Sequence, residues 1–433
     1  MERLIVIWVV FVSLFGDRFI IILNTGGRGI LNLSLPITLI LGSTIIIKSK
    51  GRVLHVLKYS KFNVFWLPYL GFSFILPLLG LLNNYPIRTS IEALKAINLF
   101  IYIILGYSVA KDTNVDSMLS KFVISAILLQ FFYSLGQFLY SGGYIPYDLW
   151  APFYGWDASA QQVYNTMVFG RSTGLYVNPN VLGLWALVAT FLSLTIVKSR
   201  RGFMIIIALL TLVLSQSRGA IFALVTVIIW LALKSLVVGR VNRGSLAFLY
   251  FIMFAIVIIT WSSINGLVNF GDVEYSFIVR LQSGIQTLFN INADENFIAR
   301  MEAWGLALSF YRSHVLGTLG TPEYMLGSYI DNDWVRLLVQ GGPVYVATFV
   351  LMLIGGFLLK HKTAEREFLS NLSVSLPILA ISQIPLSYSP MIIYWFLIGI
   401  YFGRHEQLVA RVLISKGFGN KWNVATGMWE RGT

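Results

Sequence analysis

Residues 203–219 read FMIIIALLTLVLSQSRG and residues 220–238 read AIFALVTVIIWLALKSLVV, two apolar runs on either side of a polar turn that carries Arg218. The first run, Phe203 to Leu214, is twelve residues. That is about 18 Å as a helix, against a hydrocarbon core of about 30 Å. A helix so short leaves Ser215, Gln216, Ser217, Arg218 and Gly219 below the membrane surface, where irregular polar backbone is tolerated only against protein or a wet cavity. A guanidinium at that depth needs an anion. An arginine snorkelling outward from a helix end is the alternative.

The rest of the chain is equally apolar. Of 433 residues 57% are hydrophobic and 12% charged, mean hydropathy is +0.74, and cysteine is absent. A soluble enzyme is excluded on this composition, and so are disulfides, cysteine-ligated zinc, iron–sulfur clusters and thiol nucleophiles. At about 20 residues per span the apolar content suffices for about twelve membrane-spanning helices. The expected fold is an all-α polytopic membrane protein, with residues 1–433 as a single integral membrane domain.

Six apolar runs precede the quoted pair: Leu4–Leu23, Gly29–Ile47, Phe62–Leu82, Ile91–Ala110, Phe122–Tyr140 and Val181–Val197. Four follow it: Leu246–Trp261, Leu337–Leu359, Leu369–Ser387 and Met391–Phe402. The first run lacks a small-residue cleavage site and leads at once into the second, so it reads as a retained helix.

The formal charge of +13 is explained by where the cations lie. Lys48, Lys50, Arg52, Lys58 and Lys61 fall between spans two and three, and Lys198, Arg200 and Arg201 between six and seven. Lys234, Arg240 and Arg243 follow span eight, Lys360, Lys362 and Arg366 follow span ten, and Arg404, Arg411, Lys416, Lys421 and Arg431 lie in the tail. Short basic loops resist translocation, so this side is cytoplasmic, both termini included, and 404–433 is a basic cytoplasmic tail. Membrane lipid is the expected surface partner and nucleic acid is not one.

The opposite side carries two long segments, 141–180 and 262–336. The first is rich in aromatics (Tyr144, Tyr147, Trp150, Phe153, Tyr154, Trp156, Tyr164), which suits either an interfacial belt or a ring-stacking surface. In the second, Phe277, Ile278, Leu281, Ile285, Leu288 and Phe289 share one helical face, and Phe297, Met301, Trp304 and Leu308 share another. Short amphipathic helices roofing a cavity are expected there.

Few cations remain on this side. Glu92 and Lys95 are three apart at the outer end of span four, spaced for an internal ion pair, so Lys95 is a secondary candidate. Arg171 precedes Asn178, Pro179 and Asn180, which are helix-start grammar, and a cation beside a helix entry suits phosphate. Arg300 and Trp304 lie one helical turn apart. Asp331, Asn332 and Asp333 open span ten, where acidic residues and a cap are also ordinary, and Arg336 follows one turn later.

These stretches, in this order, resemble the O-antigen polymerase and O-antigen ligase superfamily of bacterial envelope glycosyltransferases. The likeness is carried by Arg171-Ser-Thr-Gly with Asn178-Pro-Asn180, by Ser217-Arg218-Gly219, by Arg300-Met-Glu-Ala-Trp304, by His314-Val-Leu-Gly317, and by Asp331-Asn332-Asp333 followed by Gly341-Gly342. It covers residues 171–342 in detail, and the other spans in number and topology. It implies a GT-C-like fold in the bacterial inner membrane, with the site facing the periplasm. It also implies an undecaprenyl-diphosphate-linked oligosaccharide as donor and another as acceptor, with a chain-length regulator protein as a further partner. Ligases carry His-Asn where this chain has Asp331-Asn332, a departure that favours the polymerase.

By position, Arg218 and Arg300 look like the arginines used on the lipid diphosphate, with Arg171 assisting. Departure of a diphosphate develops negative charge, which fixed cations or a metal must stabilise. Arginine matches phosphate bidentately and keeps its proton. Only Asp331 and Asp333 are spaced to share a metal, so the expected transfer uses no metal and no cofactor. Asp331 is the first choice of proton acceptor and His314 the second. Asn180, Lys95, Trp304, Asn332, Asp333 and Arg336 complete the expected substrate-binding set. A ligase passing glycan to lipid A core shares most of these motifs. A transporter of anions or of lipid-linked glycan is the alternative of another class, although no internal repeat is evident.

Overall fold

The computed structural model describes residues 1–16, 20–23, 29–32, 34–82, 91–141, 143–146, 171–237, 295–314, 317–320, 322, 326–327, 330–415, 422–423 and 428–429. The helices among them are α1 (Glu2–Phe15), α2 (Ser34–Lys48), α3 (Ser60–Phe65), α4 (Leu67–Leu82), α5 (Ile91–Val109), α6 (Val115–Ser141) and α7 (Pro179–Thr195). Then come α8 (Arg201–Ser215), α9 (Arg218–Val237), α10 (Glu295–Ser313), α11 (Asp333–Phe357), α12 (Ala364–Ser382) and α13 (Ile392–Ser415). Three of them, α6, α9 and α11, are long and apolar enough to cross a membrane. Helices α2, α4, α5, α7 and α8 are apolar and shorter. The ninth expected span, 246–261, and the face from Phe277 to Phe289 lie outside the described residues, as do most of the aromatics of 141–180.

Several expected boundaries move. The chain is helical but not wholly so, because β1 (Ile20–Leu23) pairs antiparallel with β2 (Gly29–Asn32) and β3 (Trp422–Asn423) with β4 (Met428–Trp429). The first hairpin takes the end of expected span one and the start of span two. Its β-branched isoleucines flank Asn24, Thr25, Gly26 and Gly27, which are turn formers. Span three divides at Trp66 into α3 and α4, with Pro68 at the second position of the new helix. Helix α13 runs thirteen residues past Phe402, so the expected tail begins as helix.

The centre of the bundle is the pair α5 and α13. Gly106, Gly399 and Gly403 let the two backbones touch: a Cβ on Gly106 would strike the Phe396 carbonyl, and one on Gly399 would strike the Ile103 carbonyl. Gly399 and Gly403 have the small-xxx-small spacing by which apolar helices approach closely. Tyr102, Ile103, Leu105, Trp395 and Phe396 are fully buried around this seam.

The bundle has two chemically distinct ends. At one, Lys61 Nζ donates to the Leu358 carbonyl, and Arg404 bridges Asp116 of α6 and Glu365 of α12. Glu406 there accepts from Tyr107 Oη at 2.8 Å and faces Lys111 at 3.6 Å. At the other end Gly16 packs on Ser389, Gly219 on Ser382, and Trp334 Nε1 donates to the Pro377 carbonyl at 3.0 Å. The candidate functional residues lie towards this second end in separate groups: Arg171 and Arg218 at the turn between α8 and α9, Arg300 with Asp331 before α11, and Lys95 with Arg336 in a cavity.

Candidate functional site

Arg171 is placed by buried amides of α6. Gln130, Ser134 and Gln137 recur at helical spacing on one face. Gln137 Oε1 accepts from the backbone N–H of Thr173 at 2.9 Å and of Gly174 at 2.8 Å, while its Nε2 donates to Thr173 Oγ1 and the Gly174 carbonyl at 3.2 Å. Gln130 Oε1 accepts from Leu175 N at 2.9 Å, and Ser172 Oγ donates to the Ser134 carbonyl at 2.8 Å. Backbone that is neither helix nor strand is thereby satisfied inside the protein, as burial requires. Gly174 holds a φ of +60°, and a Cβ there would meet Gln130 Oε1 at 2.5 Å.

Held this way, Arg171 Nε donates to the Ser215 carbonyl at 3.3 Å and its Nη2 to Asn180 Oδ1 at 3.2 Å. The guanidinium therefore ties the first turn of α7 to the last carbonyls of α8, which carry partial negative charge. Asn178 caps α7, its side chain accepting from Asn180 N at 2.8 Å. The turn after α8 is buried at Ser215, Gln216 and Ser217, with Gln216 left-handed at φ +50°. Arg218 then opens α9, and its neighbour Gly219 packs on Ser382 and Gln383.

A second group lies where α10 meets the start of α11. Arg300 Nε is 2.7 Å from Asp331 Oδ2, and Trp304 Nε1 donates to Asp331 Oδ1 at 3.2 Å. The two donors, one turn apart on α10, grip both oxygens of one carboxylate. Arg300 is 38% exposed and Asp331 19%, so solvent or a ligand reaches the pair. The face of α10 expected to turn inward does so only in part. Ala307 is buried against Ile330 and Val339 beside Trp304, whereas Met301 is exposed. The anchor is the loop around Asp331, which draws Trp304 and Ala307 inward and turns Met301 out.

Asn332 caps α11, accepting from Val335 N at 3.1 Å. Asp333 is buried with Oδ1 3.9 Å from Arg336 Nη1. Helix α11 breaks at Gly341 and Gly342, the latter at φ +71°, with Pro343 following. The carbonyls of Val339 and Gln340 freed by that break accept from Thr318 N at 2.8 Å and Leu319 N at 3.0 Å. His314 is exposed, its ring 4.1 Å from Phe310 and its Nδ1 2.9 Å from Ser313 Oγ.

Lys95 and Arg336 come together in a cavity of about 160 Å³ between α1, α4, α5, α11 and the segment 386–392. Tyr69, Ser73, Tyr345 and Tyr388 share its wall. Tyr345 Oη is 2.8 Å from Ser73 Oγ, and its ring lies 5.7 Å from that of Tyr69. Neither this tyrosine wall nor the amides of α6 is among the residues expected from the sequence. The available signal was the recurrence of Gln130, Ser134 and Gln137 on one face of an apolar helix, since polar groups at membrane depth are costly. Among the described residues no three His, Asp or Glu side chains gather as metal ligands would.

The whole chain matches no protein-family model, and it matches none of the curated proteins compared with it.

Proposed function

We propose that this chain is a membrane glycosyltransferase of the polysaccharide-polymerase type. It transfers glycan from an undecaprenyl-diphosphate-linked oligosaccharide to the non-reducing end of a second lipid-linked repeat unit, with inversion. In this reading twelve helices span a bacterial inner membrane in a GT-C-like arrangement, with 246–261 as the ninth, both termini cytoplasmic and the site periplasmic. The observation that carries the reading is the grip of Arg300 and Trp304 on the partly exposed carboxylate of Asp331.

The acceptor hydroxyl oxygen attacks the anomeric carbon of the donor, the bond from that carbon to the diphosphate oxygen breaks, and the hydroxyl proton passes to Asp331. A carboxylate offers roughly four lone-pair positions, so Asp331 accepts the acceptor's hydroxyl alongside its protein partners. The departing diphosphate exchanges into the guanidinium of Arg300, with Arg218 stabilising the charge that develops. Arg171, bound to backbone and Asn180, supports the α8–α9 turn from which Arg218 springs.

Purified protein incubated with a lipid-linked repeat unit tests this. A ladder of products that persists with chelator and disappears in Arg218→Ala, while that variant stays folded in the membrane, is the expected result. A single transfer to lipid A core would identify a ligase instead. Anion uptake into liposomes without glycan product would identify a transporter.

A further inference from the structure

We propose that the end of the bundle that carries Lys61 and Arg404 holds one anionic phospholipid, with its phosphate among Lys61, Lys360 and Arg366 and a hydrocarbon chain along the exposed face of α11. The proposal goes beyond the glycan-transfer reading and needs only that α11 crosses a membrane.

The backbone sets the three cations in place. Lys61, in the first turn of α3, donates its Nζ to the carbonyl of Leu358, the residue that ends α11. His361 N donates to Tyr401 Oη at 3.4 Å, and the His361 ring stands edge-on to that of His405 on α13, 4.6 Å away. Thr363 then caps α12, its side chain accepting from Arg366 N at 3.3 Å. The connection 358–363 is thereby fixed at its start, middle and end. Burial first, and then the charges of Lys360 and Arg366, hold the Lys61 ammonium below its ordinary value. The three cations therefore act on one another.

Like charges so placed repel, and no protein anion relieves them. Among the described residues none of the three has a carboxylate in ion-pair contact. Glu365 is buried and taken up by Arg404. Glu367 is exposed but next to Arg366 in sequence, and consecutive helical residues do not face each other. The counter-charge has to come from outside the fold. Arginine offers a phosphate a bidentate fork and lysine a point charge.

Apolar surface beside the cations makes the occupant a lipid. Val350, Ile354 and Leu358 recur every four residues along one face of α11, and all three are exposed. Val64, one turn from Lys61 on α3, is exposed as well. The stripe ends at the very residue whose carbonyl Lys61 holds. A chain lying on it brings its own headgroup to the cations, and basic pockets where membrane helices end suit anionic headgroups. A soluble phosphate uses the cations and leaves the stripe without a role.

The test uses the full chain in dodecyl maltoside micelles, with bound lipid counted by native mass spectrometry during titration with phosphatidylglycerol, phosphatidylcholine or glycerol 3-phosphate. Phosphatidylglycerol is expected to bind at least about fivefold more tightly than phosphatidylcholine, whose phosphate carries its own compensating cation. Excess glycerol 3-phosphate is expected to leave it bound. Lys360→Gln and Arg366→Gln should each weaken phosphatidylglycerol about fivefold, and Lys362→Gln, which removes the same charge from a neighbouring exposed side chain, by less than about twofold. Arg366→Lys, which keeps the charge, should regain most of the affinity. Equal affinity for the two lipids, displacement by glycerol 3-phosphate, or an equal loss in Lys362→Gln would each overturn the proposal. The binding is read without glycan substrate, so its outcome is independent of whether the chain forms polymer.

Discussion

Asp331 and Arg300 form an ion pair at 2.7 Å that joins α10 to the residue two places before α11 begins. It ties α10 to the start of α11, a helix long and apolar enough to cross a membrane, so the orientation of the Asp331 carboxylate and the position of α10 are coupled. Asp331→Asn keeps the size and loses the proposed proton acceptor. Polymer formation by this variant is expected to fall about 10²–10⁴-fold, measured as the initial rate of ladder extension. Trp304→Phe loses one hydrogen bond, worth about 1 kcal/mol, and is expected to slow extension about fivefold.

Gln137→Leu leaves the backbone N–H groups of Thr173 and Gly174 buried without their acceptor. Each such group costs about 1–3 kcal/mol. The variant's thermal melt in detergent is expected to drop by several degrees, and the drop should exceed that of Gln137→Glu, which keeps an acceptor.

Gly399→Ala places a methyl group against the Ile103 carbonyl and the Tyr107 amide of α5. Backbone atoms cannot swing aside as a side chain does, so the two central helices must separate. Loss of monodisperse protein after membrane extraction is expected, whereas Gly71→Ala, where a Cβ meets nothing within 4 Å, should extract as the parent does.

Arg404→Met removes the partner of Glu365, whose side chain is only 3% exposed. Breaking a buried pair from one side costs about 3–5 kcal/mol. The single variant should melt well below the parent, and the double variant Arg404→Met with Glu365→Met should recover most of the loss. A double variant no more stable than the single would refute the burial argument.

Burial, with the neighbouring His361 and Lys61 adding to it, holds the His405 imidazole below its ordinary value of 6.5. The unfolded chain therefore takes up the proton first, and the folded state loses stability as pH falls below about 6.5. Melting temperature is expected to decline on acidification from neutrality, and His405→Gln should flatten that decline.

What the sequence discloses and what it hides divide along the range of the interaction. The apolar runs locate α2, α5, α7, α8 and α9 to within a few residues because hydropathy is a property of each segment alone. The caps at Asn178 and Asn332 and the turn spacing of Arg300 and Trp304 are local too, and they stand where local grammar puts them. The hairpin of Ile20–Leu23 with Gly29–Asn32 was hidden because an isoleucine run serves strand or helix alike. The partners of Arg171 come from Ser215 and Asn180, and the wall of the cavity from Tyr69 and Tyr345, positions that only the folded chain brings together. Pairings of that kind leave no periodic trace.

The break at Gly341 and Gly342 divides α11 into a lever and a post. The stretch 333–340 is held from two sides, by Thr318 and Leu319 on the carbonyls of Val339 and Gln340 and by the hydrogen bond of Trp334 to the Pro377 carbonyl of α12, while 343–357 packs among its helical neighbours. Arg336 and Gln340 ride on the lever. A displacement of the 317–319 segment would therefore be felt first at the part of the cavity wall that Arg336 and Gln340 supply.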